Sequence, residues 1–536
     1  MTTAQPQNPS MIDGVNNTSI RQQYERFANA MRITETLAGS YLQVVRPAVG
    51  GTPPLRENEF GEVILKANEN GMISLDNSSI YFEQTLAVAI PSQDEDPYIK
   101  EYYIGYKDVA GIITQYLILS NADPVQNKTN CDYEWYLKSI SKLTAAVKNN
   151  PSDAILAKIR ARNPHVPGVY ISLAGIPSGG AIYNIVLNLK MAVTKFLILN
   201  DLRWLADWMG TWTIRMWLSM RNIVVAPVIP EALFTKYPNI EVLMNTINNN
   251  NDGTSLVHFG FHHLNEPMRN RFKINEATGA VEILLPQVWR CENHETVIRG
   301  IDTRHFMVRS DLAHELRAEY KNFPLLLPMM TVEYNNFTSK LGNAESIQPT
   351  CSAQLLYADA AYIVYKSDSL ISKQCFVNPF ARYQLNIGSN HYPPVKIRTV
   401  NDLKEVDQTN DALNLNNSLL GCVSDDVATS MQPFTKVRTH ESNTFKWTTG
   451  DMSTFVSAIP FTDSGIFQGG LSHKGDVMLM IERLHHPEVP RKCSVVHLAE
   501  PVLVTTQERL LAIYSERPEH APQVQILTNK FDEFIK

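Results

Sequence analysis

The chain has 536 residues, long enough for about two to four ordinary domains, and its 44% hydrophobic and 19% charged composition can fill large cores. A net charge of −6 without any Lys/Arg run excludes a protein that coats nucleic acid along its length, because displacing phosphate counterions needs clustered cations. No stretch of about 18 uncharged apolar residues occurs, so no transmembrane helix is expected. The first residues also lack the charged-then-apolar pattern of a signal peptide.

Residues 1–18 read as a disordered arm. Ser19-Ile-Arg-Gln22 then fits a capping box, and Ile20, Tyr24, Phe27 and Met31 form one stripe of a short amphipathic helix. Such a helix either docks on its own domain or binds a partner. Beyond it the period changes to two. Ile80, Phe82, Leu86, Val88 and Ile90 share one face of a strand stopped by Pro91. Val109–Leu119 is a second strand, entered through Tyr103-Ile-Gly-Tyr106, and Val169–Ala174 is a third. In Ala181–Thr194 the residues Tyr183, Ile185, Leu187, Leu189, Met191 and Val193 alternate with Asn184, Asn188, Lys190 and Thr194. One buried and one wet face is the habit of antiparallel sheet.

Helices are predicted at Asp132–Asn149 and Ser152–Arg162. A third is predicted over Asp201–Asn222, DLRWLADWMGTWTIRMWLSMRN, which holds four of the seven tryptophans: Trp204, Trp208, Trp212 and Trp217. At about 100° per residue Trp204, Trp208 and Trp212 fall within one apolar arc beside Leu205 and Met209. Its polar face is mixed in sign, unlike a membrane-surface helix, and its aromatics do not alternate with basic residues as a single-strand stacking platform requires. These tryptophans are therefore expected to serve packing, in the chain's own core or at a subunit interface.

Strands return at Ser255–Phe261 and Val281–Leu285, followed by a helix at Asp311–Lys321. Then come short strands at Leu355–Tyr365, Tyr383–Ile387, Phe455–Ile459, Val477–Ile481, Ser494–His497 and Leu510–Tyr514, with turn signals between them. This spacing reads as a sandwich or jelly roll, and no βαβ alternation supports a Rossmann or TIM-type enzyme. The predicted class is mainly β: two jelly-roll β-sandwich domains with helical insertions and an N-terminal amphipathic helix. The boundaries are an arm and helix at 1–40, a first jelly roll at 41–344 with a helical insertion near 195–250, a second at 345–516, and a tail at 517–536.

Chemical motifs are weak. His258-Phe-Gly-Phe-His262-His263 has HxxxH spacing, but Gly260 and the local period favour a surface loop over a zinc helix. His485-His-Pro-Glu488 reads as a hairpin loop, and Gly175-Ile-Pro-Ser-Gly-Gly180 as a strand connection without the Lys-Ser/Thr of a phosphate loop. The six cysteines, Cys131, Cys291, Cys351, Cys375, Cys422 and Cys493, are scattered without CxxC and are expected as free thiols. No catalytic residue, cofactor or metal is predicted.

Two regions carry a family resemblance. One is Ile80–Ile90, Tyr103-Ile-Gly-Tyr106, Val109–Leu119 and Asp132-Tyr-Glu-Trp-Tyr-Leu137; the other is Gly475–Ile481, His485–Pro490, Ser494–His497 and Glu508–Tyr514, with Asn378–Ile387 between them. In order and spacing they resemble the first and second barrels of double-jelly-roll major capsid proteins of DNA viruses, the poxvirus scaffold protein included. The resemblance implies a homotrimer forming pseudo-hexameric capsomers that tile an icosahedral shell. It further implies a place in the virion after assembly in host cytoplasm or nucleus, contacts with minor capsid or cement proteins, and no sequence-specific nucleic-acid contact. Two other readings compete: a mostly helical coat protein of a double-stranded RNA virus, and a β-sandwich enzyme or binding module resting on the His258–His263 cluster.

Overall fold

The structure, a computed structural model, describes residues 40–45, 54–56, 59–91, 99–106, 108–129, 167–174, 180–228, 262–268, 272–274, 281–285, 287–308, 310–338, 346–367, 375–376, 381–398, 434–438, 445–449, 457–461, 471–483 and 499–527. Strand dominates, as alternating sequence dictates. In β3 (Gly71–Ile90) the side chains of Ile80, Phe82, Leu86, Val88 and Ile90 are all buried. In β8 (Ala181–Ala192) Ile185, Leu187, Leu189 and Met191 are buried while the residues between them are exposed.

Before β3 lie β1 (Ser40–Val45) and β2 (Phe60–Leu65). Between β3 and β8 lie β4 (Glu101–Gly105), β5 (Ile113–Ser120), β6 (Asp123–Thr129) and β7 (Gly168–Ser172). After β8 come the short helix α1 (Leu197–Leu202), β9 (Trp204–Ala206), β10 (Trp212–Leu218), β11 (Val224–Pro227) and β12 (His262–His263). Two small ribbons, β13 (Pro267–Met268) with β16 (Gln287–Val288) and β14 (Phe272–Ile274) with β15 (Val281–Ile283), precede the long β17 (Arg290–Met307).

Eight of these strands carry the topology. One sheet has the antiparallel order β1-β17-β3-β8 and the other β2-β10-β5-β6. Counted along the chain, these eight strands pair first–eighth–third–sixth and second–seventh–fourth–fifth, which is the jelly-roll order. A further sheet, β12-β11-β4-β7, sits where β4 leads into β5 and β10 leads into β11. Buried polar side chains form a short chain of hydrogen bonds: the Tyr106 hydroxyl donates to Gln84 Oε1 (2.9 Å), and Gln84 Nε2 donates to Thr296 Oγ1 (3.2 Å).

The second half opens with α2 (Ser310–Asn322) and β18 (Leu325–Asn336), followed by β19 (Ser346–Ile347) and β20 (Thr350–Ser367). Next are β21 (Cys375–Phe376), β22 (Ala381–Ile387), β23 (Asn390–Arg398), and the ribbon of β24 (Phe434–Arg438) with β25 (Phe445–Thr449). β26 (Ser457–Pro460), β27 (Leu471–Arg483), β28 (Ala499–Ile513) and β29 (Val524–Leu527) complete it. Here β20 changes partners along its length. Its first part, Thr350 to Ala358, pairs with β27; its last part, Ala358 to Ser367, pairs with β28 and, at Ala360–Ile363, also with β26. Register shifts at Leu355/Ala358 and Ala358/Ala360 mark the crossover, where a bulge bends the strand. The resulting orders are β18-β28-β20-β26 and β20-β27-β22-β23. With β20 serving as second and third strand at once, the second half repeats the pairing order of the first.

Several expectations need correction. The predicted helix over Asp201–Asn222 does not exist: α1 stops at Leu202, Trp204 lies in β9, Trp208 lies in a single 3-10 turn (Asp207–Met209), and Trp212 and Trp217 lie in β10. The reason is a period of two hidden in the same letters, since Trp212, Ile214, Met216 and Leu218 are buried and Thr213, Arg215 and Trp217 are not fully so. The strand predicted from Val109 starts at Ile113, after a 3-10 turn at Val109–Ile112 whose entry Asp108 caps through Ala110 N–H (2.9 Å). Pairing changes hands at α2, so β18, expected in the first block, belongs with the second. Part of the expected tail forms β29 on β28. His262 and His263 are buried in β12 rather than in a surface loop. Outside the described residues lie Ile20, Tyr24, Phe27 and Met31, the helices predicted within 132–162, the strands at 255–261 and 494–497, and the His485–Glu488 motif.

Gly105 faces Gly168 across β4 and β7, and a Cβ on Gly105 would overlap the Pro167 carbonyl, the Gly168 Cα and the Tyr103 hydroxyl. Gly105→Ala is therefore expected to lower stability by about 1–3 kcal/mol, read as a lower urea midpoint; an unchanged midpoint contradicts this close approach.

Candidate functional site: the joint between the two β units

The tryptophan segment is shaped by two left-handed residues. Arg203, at φ 56°, ends α1 after donating its N–H to the Leu199 carbonyl (3.1 Å), and Gly210, at φ 81°, ends the 3-10 turn. A Cβ at Gly210 would overlap the Asn121 carboxamide, so glycine is required for both its conformation and its size. Between these points β9 pairs with Met72–Ser74 of β3, and the turn Asp207–Met209 projects from the first β unit.

That turn meets α2. The Trp208 indole stacks on Tyr320, with centroids 5.3 Å apart and planes at 24°. The Asp207 carboxylate accepts from the Asn70 N–H (2.6 Å) and forms an ion pair with Arg317. The Asp207 side chain is 8% exposed and that of Arg317 35%, so the pair is shielded mainly on the acid's side. α2 can present both partners on this side because Ala313, Leu316 and Tyr320 recur at helical spacing and are buried. The other side of the joint is the segment after β28: Ser515 N–H donates to the Tyr320 carbonyl (2.9 Å) and Ser515 Oγ to the Arg317 carbonyl (2.7 Å). A second bridge is made by the buried Lys128 of β6, whose ammonium donates to the Val332 carbonyl of β18 and lies 3.2 Å from Glu333. The apolar core runs through the joint without a break, from Trp208, Met209 and Trp212 to Leu325, Leu327, Leu511 and Val524.

The four tryptophans have separate duties. Trp212 is fully buried in the first unit and its Nε1–H donates to the Met209 carbonyl (3.2 Å). Trp204 packs edge-on against Phe306 of β17 at 5.6 Å. Trp217 stands 5.5 Å from the half-exposed Phe60, over whose ring the Arg215 guanidinium lies while also pairing with Glu62. Trp208 alone reaches across to α2.

Several buried titratable groups are held in their neutral forms. Burial, with help from Glu319, pushes the Tyr320 phenol up to about 12. Burial, with Asp476 nearby, pushes the Cys351 thiol up to about 12, leaving a poor nucleophile. Burial raises the Tyr103 phenol, reinforced by Tyr170, and its hydroxyl donates to the Tyr106 carbonyl (2.9 Å). Burial also lowers His305. Among the described residues no three His, Cys, Asp or Glu side chains gather as a metal site, and Cys291 and Cys351 are not joined in a disulfide. The arrangement is mechanical: it holds two sandwiches in one orientation. Sequence reasoning singles out Trp208 but misses Asp207, Arg317, Tyr320, Asn121 and Gln523, because most of their partners lie 90–402 residues away and no local spacing marks them. The one local clue is Asp-Trp-Met-Gly, a turn signature inside an apparently helical run.

No family profile and no curated protein matches the sequence. Among solved structures, the chain is similar to the PBCV-1 virus capsid at 7% identity, covering 91% of this chain and 97% of that one with a TM-score of 0.42. It is similar to a chain of the Sputnik virophage structure at 7% identity, covering 91% and 88% with a TM-score of 0.44. It is also similar to the mavirus major capsid protein at 8% identity, covering 90% of each with a TM-score of 0.42.

Trp208→Ala is expected to cost about 3–5 kcal/mol, measured by urea unfolding, and a loss under about 1 kcal/mol would remove it from the joint. The Tyr320 phenol titrates at 10.0 when free and at about 12 when folded, so the folded state holds its proton longer. Its contribution is full below pH 10 and is lost as pH rises towards 12. Tyr320→Phe should keep the stack and flatten part of this alkaline decline, with Tyr103 and Cys351 contributing to the rest; an identical decline in the variant would refute the assignment.

Proposed function

We propose that the chain is a structural subunit of a viral shell, a double-jelly-roll major capsid protein or capsid-like scaffold. The observation that carries this reading is the pairing order, first–eighth–third–sixth and second–seventh–fourth–fifth, occurring twice in succession. A subunit made of two alike sandwiches fixed at one joint supplies two of six blocks around a threefold axis. Three copies then close into a pseudo-hexagonal unit able to tile an icosahedral lattice. The motifs at Ile80–Ile90, Tyr103–Tyr106 and Gly475–Ile481 that resemble this family fall on β3, β4 and β27.

The partners are other copies of the chain and, beyond them, minor capsid or cement proteins, with the virion as destination. The net charge of −6 suits a shell that does not hold its genome through this subunit. Trp217 with Phe60, and Ile20, Tyr24, Phe27 and Met31 on the predicted N-terminal helix, are the candidates for subunit contact.

Native mass spectrometry and negative-stain imaging of the purified protein are expected to give trimers with a sixfold outline. A monodisperse monomer at micromolar concentration would overturn the assignment.

A further inference from the structure

Gln523 stands apart from the rest of the joint because one carboxamide engages three different segments. Its Nε2 donates towards the carbonyls of Trp208 (2.8 Å), Tyr514 (3.0 Å) and Ser515 (3.3 Å), and its Oε1 accepts from Asn121 Nδ2 (2.5 Å). Asn121 Oδ1 in turn accepts from Thr211 N–H (2.9 Å), and the Asn121 N–H donates to the Thr211 carbonyl (2.8 Å). Three carbonyls accept only, so the orientation of the amide is fixed by its surroundings. The Gln523 backbone carbonyl accepts from Tyr514 N–H (2.9 Å), and the next residue, Val524, is buried in the shared core and starts β29. The segment between β28 and β29 thus folds back over the joint, with Arg517 3.7 Å from Asp123 and Lys321 2.9 Å from Glu516 at its rim.

We propose that Gln523 is a latch residue: through it the segment between β28 and β29 holds the angle between the two β units, and its release lets them swing about α2 while each sandwich stays folded. Two of the remaining bridges fit a hinge, whereas the third, from Lys128, reaches β18 and has to slacken when the units swing. The Asp207–Arg317 pair and the Trp208–Tyr320 stack both end on α2 itself. The latch alone ties the turn 207–209, the β5–β6 turn and the second unit to one side chain. This inference concerns the joint and holds whether or not the chain builds a shell.

Gln523→Glu in the full chain tests it, because the change keeps size and shape but turns a donor facing three carbonyls into an acceptor. Hydrogen exchange should show protection falling by about tenfold in peptides covering the turn 207–211 and the segment 514–523, with β3, β10 and β17 unchanged. Lowering the pH through the carboxyl's ordinary range, about 4.3, should restore protection in the variant, since a protonated carboxyl can donate again; the unsubstituted protein should show no such recovery. Unchanged protection in those peptides, a uniform loss that includes β3 and β17, or no recovery in acid would each overturn the latch. Should the variant be insoluble, Asn121→Gly keeps the left-handed backbone at φ 48° and removes only the carboxamide. It is expected to loosen the same peptides by a smaller factor, and an unaltered exchange pattern there would refute the proposal.

Discussion

The turn Asp207–Met209 is held against α2 by one stacked ring pair and one shielded ion pair, and the two-unit architecture depends on that contact. Each sandwich can bury its own faces, but neither sandwich fixes its orientation relative to the other. Interfaces between units of one chain default to motion unless they are large and apolar. Here the apolar core continues from one unit into the other, and the polar contacts sit at its edge. A stacked aromatic pair contributes about 0.5–1.5 kcal/mol beyond the area it buries. Leaving the Asp207 carboxylate without Arg317 would cost a further 1.5–3 kcal/mol or so, tempered by the Asn70 N–H it keeps.

Much of the sandwich is legible in the sequence because one-sided burial writes a period of two. The β3 and β8 faces are correctly read from that period alone, and the helix expected at Asp311–Lys321 is α2. The tryptophan segment defeats the same method. Apolar residues at 204, 208 and 212 satisfy a helical arc, while apolar residues at 212, 214, 216 and 218 satisfy a strand, and one stretch cannot do both. Gly210 resolves the conflict: at φ 81° it separates a 3-10 turn from a strand, and no helix passes through it. A glycine flanked by tryptophans was the available sign, outweighed by the length of the apparent arc.

The joint itself is invisible to periodicity. Gln523 reaches Trp208 across 315 residues and Arg317 reaches Asp207 across 110, distances at which only the folded topology decides who meets whom. The division between units is misplaced for a related reason. Composition does not change at α2, yet pairing does, because β18 is the first strand of the second order and needs β28 near the other end of the chain. Such non-local closure makes folding depend on late contacts, a burden shared by antiparallel sandwiches generally.

The bent strand β20 bears on how such a chain can lengthen over evolutionary time. In the first unit the second and third strands are joined across residues 66–70, and in the second unit they are a single strand with a bulge. In the first unit the roomy intervals are those between the seventh and eighth strands, β10 to β17, and between the fifth and sixth, β6 to β8; in the second unit it is the one between the fifth and sixth, β23 to β26. Inserted sequence at Leu355–Ala360 would split a backbone ladder shared by β27 and β28, whereas the same insertion between β23 and β26 would interrupt no rung of either order. Size variation in this architecture is thereby channelled to intervals that carry no rung of either order, and a foreign epitope grafted onto the molecule belongs there.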